Sequence, residues 1–361
     1  MNQIRFSIII LILLIHINVI SSFSIKNILK KMTNRSSSFQ IKNNNKLHSS
    51  SIDIDTDTTN DKSLIERLEW NDNGYQTWKW KENVINYLEM GDKSKPAILL
   101  IHGFGASAYH WRHNVPILAK DYHVFAFDML GFGLSSKPIQ NYDAEVWRDQ
   151  TLDFIQEIVK KPIAVAGNSL GGFTALYAAA SPIARSKKLI NGVALLNAAG
   201  RFYDPNAPPK TTPPAWREAI VAAFQRFVIG LSFIYTKQPA RIEQVLRQVY
   251  PVNQDNVDSD LVKSIQIPAQ DPNAAEVFYR VVSRNGNGPP IFVDDLLKTL
   301  SVPLWLVWGK EDPWIRPASA DKFQKLYPNA KRINIDAGHC PMDEAPAEVN
   351  KALQDFLKSL A

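Results

Sequence analysis

The 361-residue chain has one cysteine, Cys340. No intrachain disulfide is possible, so its stability must come from packing. The apolar run near the start, Ile8 to Ile20, is 13 residues long and interrupted by His16 and Asn18. That is too short to cross a hydrocarbon core of about 30 Å comfortably. The first 52 residues contain no Asp or Glu, and no internal repeat is evident along the chain. A content of 45% hydrophobic, 21% charged and 10% aromatic residues excludes collagen-like, disordered and disulfide-scaffold chains. The length fits one large domain or two coupled ones.

What charge there is lies unevenly. The formal net charge is +6, but Arg5, Lys26, Lys30, Lys31, Arg35, Lys42 and Lys46 put seven cations in the acid-free leader. The remaining 309 residues therefore sum to −1. Nucleic-acid binding needs clustered Lys and Arg on the folded body, so a neutral body speaks against it.

The leader reads as two signals. Arg5 followed by the Ile8–Ile20 run and the small residues Ser21 and Ser22 suits a signal peptide over 1–22. From Phe23 the chain is rich in Ser, Asn and Lys, the composition of a transit peptide, over 23–52. The pair resembles the bipartite plastid-targeting leader of algae with secondary plastids, which implies a plastid location. A secretory signal with a disordered tail, or an uncleaved anchor, are the alternatives, and they imply the secretory route or the endomembrane lumen. Asp53, Asp55, Asp57 and Asp61 mark a shift into a solvated linker, expected over 53–74.

From Tyr75 the pattern changes to that of a globular domain, expected over 75–361. Trp78, Trp80, Val84 and Ile85 suggest an opening hairpin before Gly91. Buried strands are expected at Ile98–Ile101, Val124–Phe127, Ile163–Ala166, Val193–Leu196, Leu304–Val307 and Ile333–Ile335. Helical periodicity between them, as in Asp149–Val159 and Phe173–Ala180, predicts an α/β fold with a mostly parallel sheet flanked by helices. The alternation breaks at about 201–290. There Pro205, Pro208, Pro209, Pro213 and Pro214 precede helical segments, which suggests a helical cap inserted between two core strands.

The strongest chemical motif is Gly167-Asn168-Ser169-Leu170-Gly171-Gly172, between an expected strand and an expected helix. This is the G-x-S-x-G nucleophile elbow in the context it requires. A serine nucleophile needs a base and a group that orients the base. Asp312 follows the Leu304–Val307 strand, and His339 follows Ile333–Ile335, so the order Ser169, Asp312, His339 is that of α/β hydrolases. Glu311 and Asp336 carry the same charge nearby. Asp312 is favoured because it lies between Gly309 and Pro313, where a loop can turn inward. The segment His102-Gly103-Phe104-Gly105 after an early strand fits an oxyanion loop, with the N–H groups of Phe104 and Leu170 as donors. His102 is expected to bond its own loop rather than titrate in catalysis.

Gly103-x-Gly105-x-x-Ala108 followed by Asp128 also fits a dinucleotide-binding fingerprint. That reading leaves Ser169, Asp312 and His339 unexplained, whereas a hydrolase accounts for the glycines too; Asp128 is then a structural anchor for the turn at Gly131–Gly133. His110 and His113 lack an apparent third ligand, so no metal site is expected. Cys340 beside His339 reads as a packed thiol. In the cap, apolar side chains from Trp216 through Phe224, Phe227 and Phe233 to Tyr235 nearly encircle one helix. Such a helix is either ordinary cap core or a cover for a hydrophobic substrate, with Trp216, Phe224 and Phe227 as substrate-binding candidates and peripheral contact with a membrane surface as a further option.

At these motifs the sequence resembles the α/β-hydrolase superfamily from about Trp78 to Leu357. Within it, it is similar to the pheophytinase and chlorophyll-dephytylase-like group of plastid esterases. The similarity rests on Ala166–Gly172, on Asp312-Pro313-Trp314-Ile315-Arg316-Pro317 and on Gly338-His339-Cys340-Pro341-Met342-Asp343-Glu344. Met342 stands where that group has histidine, and His102 where it has proline. The resemblance implies cofactor-free hydrolysis of the phytyl ester of a chlorophyll-type pigment, a lipophilic small molecule. Another greasy ester, or a silent binding protein on the same scaffold, are the alternatives. Epoxide hydrolases and haloalkane dehalogenases share the fold but attack with an aspartate, and Ser169 argues against both.

Overall fold

Among the described residues, eight strands form one sheet in the order β1-β2-β4-β3-β5-β6-β7-β8. They are β1 (Gln76–Trp80), β2 (Asn83–Met90), β3 (Ala97–Ile101), β4 (His123–Phe127), β5 (Ile163–Asn168), β6 (Ile190–Leu196), β7 (Leu304–Gly309) and β8 (Lys331–Ile335). Only β2 runs against its neighbours; β3 to β8 pair in parallel. The computed structural model describes residues 67–206, 215–283 and 290–360, without the side chains of 215–220. The signal, transit and first linker residues expected at the start lie outside the described residues.

The expected strands form for a simple reason. In β3 every residue is buried, and alternate side chains enter opposite cores: Leu99 and Ile101 join one, Ile98 and Leu100 the other. A sheet buried on both faces needs continuous apolar runs, and each such side chain contributes about 1.5–3 kcal/mol when removed from water.

The helices are α1 (Val115–Leu118), α2 (Ala144–Phe154), α3 (Leu170–Ala180), α4 (Pro182–Ser186), α5 (Ala215–Thr236), α6 (Pro239–Val249), α7 (Ser259–Gln266), α8 (Ala274–Ser283), α9 (Val293–Thr299), α10 (Pro317–Leu326), α11 (Pro341–Glu344) and α12 (Pro346–Lys358). Helix α2 starts before the expected Asp149 and passes into a π-turn over Ile155–Val159, ending at Lys160 with φ 58°. Helices α5 to α9 stand between β6 and β7.

One expectation is corrected, and one alternative is decided. Residues 67–74 are not solvated linker: Leu68 is buried and donates its N–H to the Arg112 carbonyl, and the Trp70 ring packs edge-on to Tyr109. Of the two readings of helix α5, buried core fits one side of its described side chains and an outward apolar face the other. Ile229, Ser232 and Phe233 are buried, while Val221, Phe224, Phe227, Leu231 and Ile234 face outward, with Phe224 and Phe227 64–67% exposed.

The register aligns the carboxyl ends of the central strands. Ile101 pairs with Gly167, Asn168 with Leu196, Leu196 with Val307, and Gly309 with Ile335. The loops after β3, β5, β6, β7 and β8 therefore leave from one edge, where α/β sheets bind ligands.

Candidate active site

The sharp turn from β5 into α3 carries Ser169 at φ 53°, ψ −115°. A non-glycine residue there costs about 1–3 kcal/mol and persists only where its surroundings enforce it. The enforcement is visible. A Cβ on Gly167 would lie 2.2 Å from the Gly171 carbonyl oxygen, and one on Gly171 would lie 2.3 Å from the carbonyl oxygens of Ile101 and His102. Ser169 donates its N–H to Leu196 and accepts from Phe173 and Ala199 at its carbonyl. It is half-buried between buried Asn168 and Leu170.

His339 and Asp312 meet across the loops after β8 and β7. The His339 Nδ1–H donates to Asp312 Oδ2 at 2.8 Å, and the residues are 4% and 3% exposed. Asp312 Oδ1 accepts from the N–H groups of Trp314 (2.7 Å) and Ile315 (2.9 Å), and Oδ2 also accepts from Asn197 Nδ2 (2.7 Å). Burial alone would push this carboxyl up. The charge and hydrogen bond of His339, with the Ile315 and Trp314 amides, outweigh it and hold the group below the usual carboxylate range. The competing acids are placed differently: Glu311 is exposed, and exposed Asp336 pairs with Lys310 Nζ at 2.6 Å.

Asn168 ties the elbow to the histidine loop. Its Nδ2 donates to the His339 carbonyl at 2.9 Å and to the Leu196 carbonyl at 3.2 Å. No hydrogen bond joins Ser169 Oγ to His339 among the described contacts. Trp314 lies against the imidazole, ring centroids 4.9 Å apart, and is itself 39% exposed.

The loop after β3 packs beside the serine: a Cβ on Gly103 would lie 3.3 Å from Ser169 Cβ. Leu170 opens α3, so its N–H has no acceptor within the helix. Met129 donates its N–H to His102 Nε2 at 3.0 Å, which leaves the proton on Nδ1, 2.7 Å from the Gly103 carbonyl. Burial lowers the pKa of His102, so it stays neutral and holds the loop. The Phe104 ring packs on Phe132 (5.4 Å) and on Phe278 of α8 (5.3 Å), and Phe278 in turn packs on Phe233 of α5 (5.2 Å).

Asp128 is fully engaged by the protein. It accepts from Asn86 Nδ2 (2.9 Å) and from the N–H groups of Ala108 and Leu134 (2.7 Å each). A Cβ on Gly133 would strike its carboxylate at 2.2 Å. No oxygen is left facing outward for a ribose, which removes the dinucleotide reading. His110 and His113 are buried, and Cys340 is buried with its thiol pushed well up by burial. Phe224 and Phe227 sit on the exposed face of α5, while the side chain of Trp216 lies outside the described residues.

Sequence reasoning missed the roles of Asn168 and Asn197. Asn197 carried one signal, its place just after a buried strand. It takes φ 43° there, and its Oδ1 accepts from the Gly309 N–H at 2.9 Å.

Fold and motif order define a class, and comparison with known proteins agrees. The model of the alpha/beta hydrolase family matches residues 98–352, and the chain belongs to that family. A chloroplastic pheophytinase of Arabidopsis thaliana is 32% identical over 78% of the chain, which spans 66% of that protein's length. A 2-hydroxy-6-oxo-6-(2'-aminophenyl)hexa-2,4-dienoic acid hydrolase of Metapseudomonas resinovorans is 27% identical, over 76% of the chain and 88% of its own. Among solved structures, a bacterial membrane phospholipase A superposes with a TM-score of 0.63 at 27% identity, covering 83% of this chain and 88% of its own.

Proposed function

We propose that the chain is a serine hydrolase for a carboxylic ester of a hydrophobic alcohol, and that its substrate is the phytyl ester of pheophytin or chlorophyll. The observation that carries the reading is the 2.8 Å bond from His339 to a buried, ionised Asp312 beside the strained Ser169 turn. Similarity to a pheophytinase supports the pigment, and similarity to a phospholipase supports the wider class of lipophilic esters.

In this mechanism Ser169 Oγ attacks the ester carbonyl carbon while His339 Nε2 takes its proton. Asp312 keeps the imidazole in the tautomer that leaves Nε2 free, and stabilises the imidazolium. The Phe104 and Leu170 N–H groups receive the oxyanion. The tetrahedral intermediate collapses, the C–O bond to the alcohol breaks, and His339 protonates the leaving alkoxide. Water, deprotonated by His339, then attacks the acyl-enzyme and releases the carboxylic acid, restoring Ser169.

The outward apolar face of α5 supports a meeting with a lipid surface rather than an enclosed substrate contact for Phe224 and Phe227, with Trp216 at the start of the same helix. Co-sedimentation with lipid vesicles, lost in a Phe224→Ser, Phe227→Ser double variant, is the expected result; full binding by that variant contradicts it. A plastid location follows from the leader reading, and a fluorescent fusion of residues 1–52 tests it. Phytol release from pheophytin, absent in Ser169→Ala, tests the reaction itself.

A further inference from the structure

Between the cap helices and the loop that carries His339 lies a buried carboxylate that the mechanism above does not use. Glu344 is 1% exposed. Its Oε1 accepts from the backbone N–H groups of Val252 (2.8 Å) and Asn253 (3.0 Å), in the link that follows α6. Its Oε2 accepts from the N–H of Gly338, the residue before His339, at 2.5 Å. His339 donates its own backbone N–H to the carbonyl of Val249, the last residue of α6, at 3.0 Å. The two strips touch closely, since a Cβ on Gly338 would lie 2.3 Å from the Val249 carbonyl oxygen and 2.4 Å from Pro251.

The neighbouring Asp343 repeats the fastening. It accepts from Arg112 Nε (2.7 Å) and from the Tyr250 hydroxyl (2.9 Å), and Arg112 reaches on to Asp258 at the start of α7 (2.9 Å). The other two members of the site are held differently. Ser169 is bonded to Leu196 and Ala199, and Asp312 to Asn197, all at the end of β6. Of the three, His339 is the one whose own amide bonds the cap among the described residues.

We propose that Glu344 is a positioning residue: it locks the His339 loop to the α6–α7 link, so that the placement of the cap sets the placement of the imidazole. The proposal rests on the reading of His339 as the base. A carboxyl group suits the task because one side chain must accept three N–H groups from two chain segments, and an oxygen with two lone pairs accepts two of them at once. Glutamine in its place turns an NH2 group toward one of those segments and loses that arm. The base is then displaced while nucleophile and acid stay in place, a loss that falls on the chemical step.

The test uses Glu344→Gln and the full chain. Three quantities are read: the downfield proton resonance of the His339 Nδ1–H bonded to Asp312, kcat and KM on a soluble p-nitrophenyl ester, and Tm. The expected result is a shifted or lost resonance and a kcat lower by about tenfold or more, with KM within about twofold. A folded variant of lower Tm that keeps the resonance and kcat of the wild type overturns the proposal. Asn253→Pro removes one cap-side N–H without touching the histidine loop, and is expected to move both readouts in the same direction by less. Should Glu344→Gln fail to fold, an Asn253→Pro variant with unchanged resonance and kcat overturns the proposal alone. The resonance needs no turnover, so the clamp and the serine-hydrolase reading fail separately: a wild-type chain that shows the resonance but reacts with no ester contradicts the latter.

Discussion

Asn168 donates its side-chain amide to the backbone carbonyl of His339 at 2.9 Å, across 171 positions of sequence. The residue just before the serine thus bonds the histidine loop to the elbow. Asn168→Ala leaves that buried carbonyl with one partner fewer, at a cost of about 1–3 kcal/mol. Thermal unfolding and kcat should fall together, and a variant with the stability and kcat of the wild type would show that the contact positions nothing.

Asp312→Asn should lower kcat by roughly 10³–10⁴-fold with little change in fold, because an amide cannot hold the imidazole in the required tautomer. Asp336→Asn, at an exposed carboxylate paired with Lys310, should have no measurable effect. The reverse pattern in steady-state kinetics would move the acid to Asp336.

The same carboxyl gives a pH dependence. Its folded pKa lies below the ordinary value, so its contribution to stability is present above the unfolded pKa of about 3.9 and is lost as pH falls through the folded pKa. Asp312→Asn should flatten the acid end of a Tm-against-pH curve below about pH 4; an unchanged curve would contradict this.

His110 acts in a higher window. Burial pushes its pKa down from 6.5 to about 4. The unfolded chain therefore takes up a proton below about pH 6.5 that the folded chain refuses, and stability drains between 6.5 and 4 as pH falls. His110→Leu should narrow the difference in Tm between pH 7 and pH 5. A difference as large as in the wild type would show that another group carries it.

Gly171→Ala places a methyl group 2.3 Å from two carbonyl oxygens of the backbone at the end of β3. Neither can yield without moving a core strand, so a loss of roughly 3 kcal/mol or more, or failure to fold, is expected. Gly105→Ala is a useful contrast. It has φ 72° but nothing within 4 Å of its Cβ, so only backbone strain of about 1–2 kcal/mol is expected. Denaturant unfolding of the two variants should separate them by this margin, and equal losses would refute the steric account.

The strands were legible because a sheet buried on both faces demands continuous apolar runs such as Ala97–Ile101 and Ile163–Ala166. The elbow was legible because a serine at φ 53° needs glycines around it, and the His339–Asp312 pair because each follows a strand in the order of the family. What stayed hidden depends on contacts far apart in sequence. Nothing local marks Asn197 as a partner of Asp312, 115 positions on, or Glu344 as a bridge to Val252, 92 positions back. Composition shows helix α5 as apolar all round but not which face is covered; the packing of Phe233 on Phe278 decides that. Residues 67–74 read as linker because their acids and asparagines hide Leu68 and Trp70, which pack only once the Tyr109–Arg112 turn exists.

The most direct measurement offers pheophytin, chlorophyll and a long-chain p-nitrophenyl ester side by side to the chain from residue 53 onward, with Ser169→Ala as control. Phytol released from a pigment by the wild type and not by the variant is the predicted result. Release that persists in Ser169→Ala, or cleavage of the synthetic ester alone, contradicts the account.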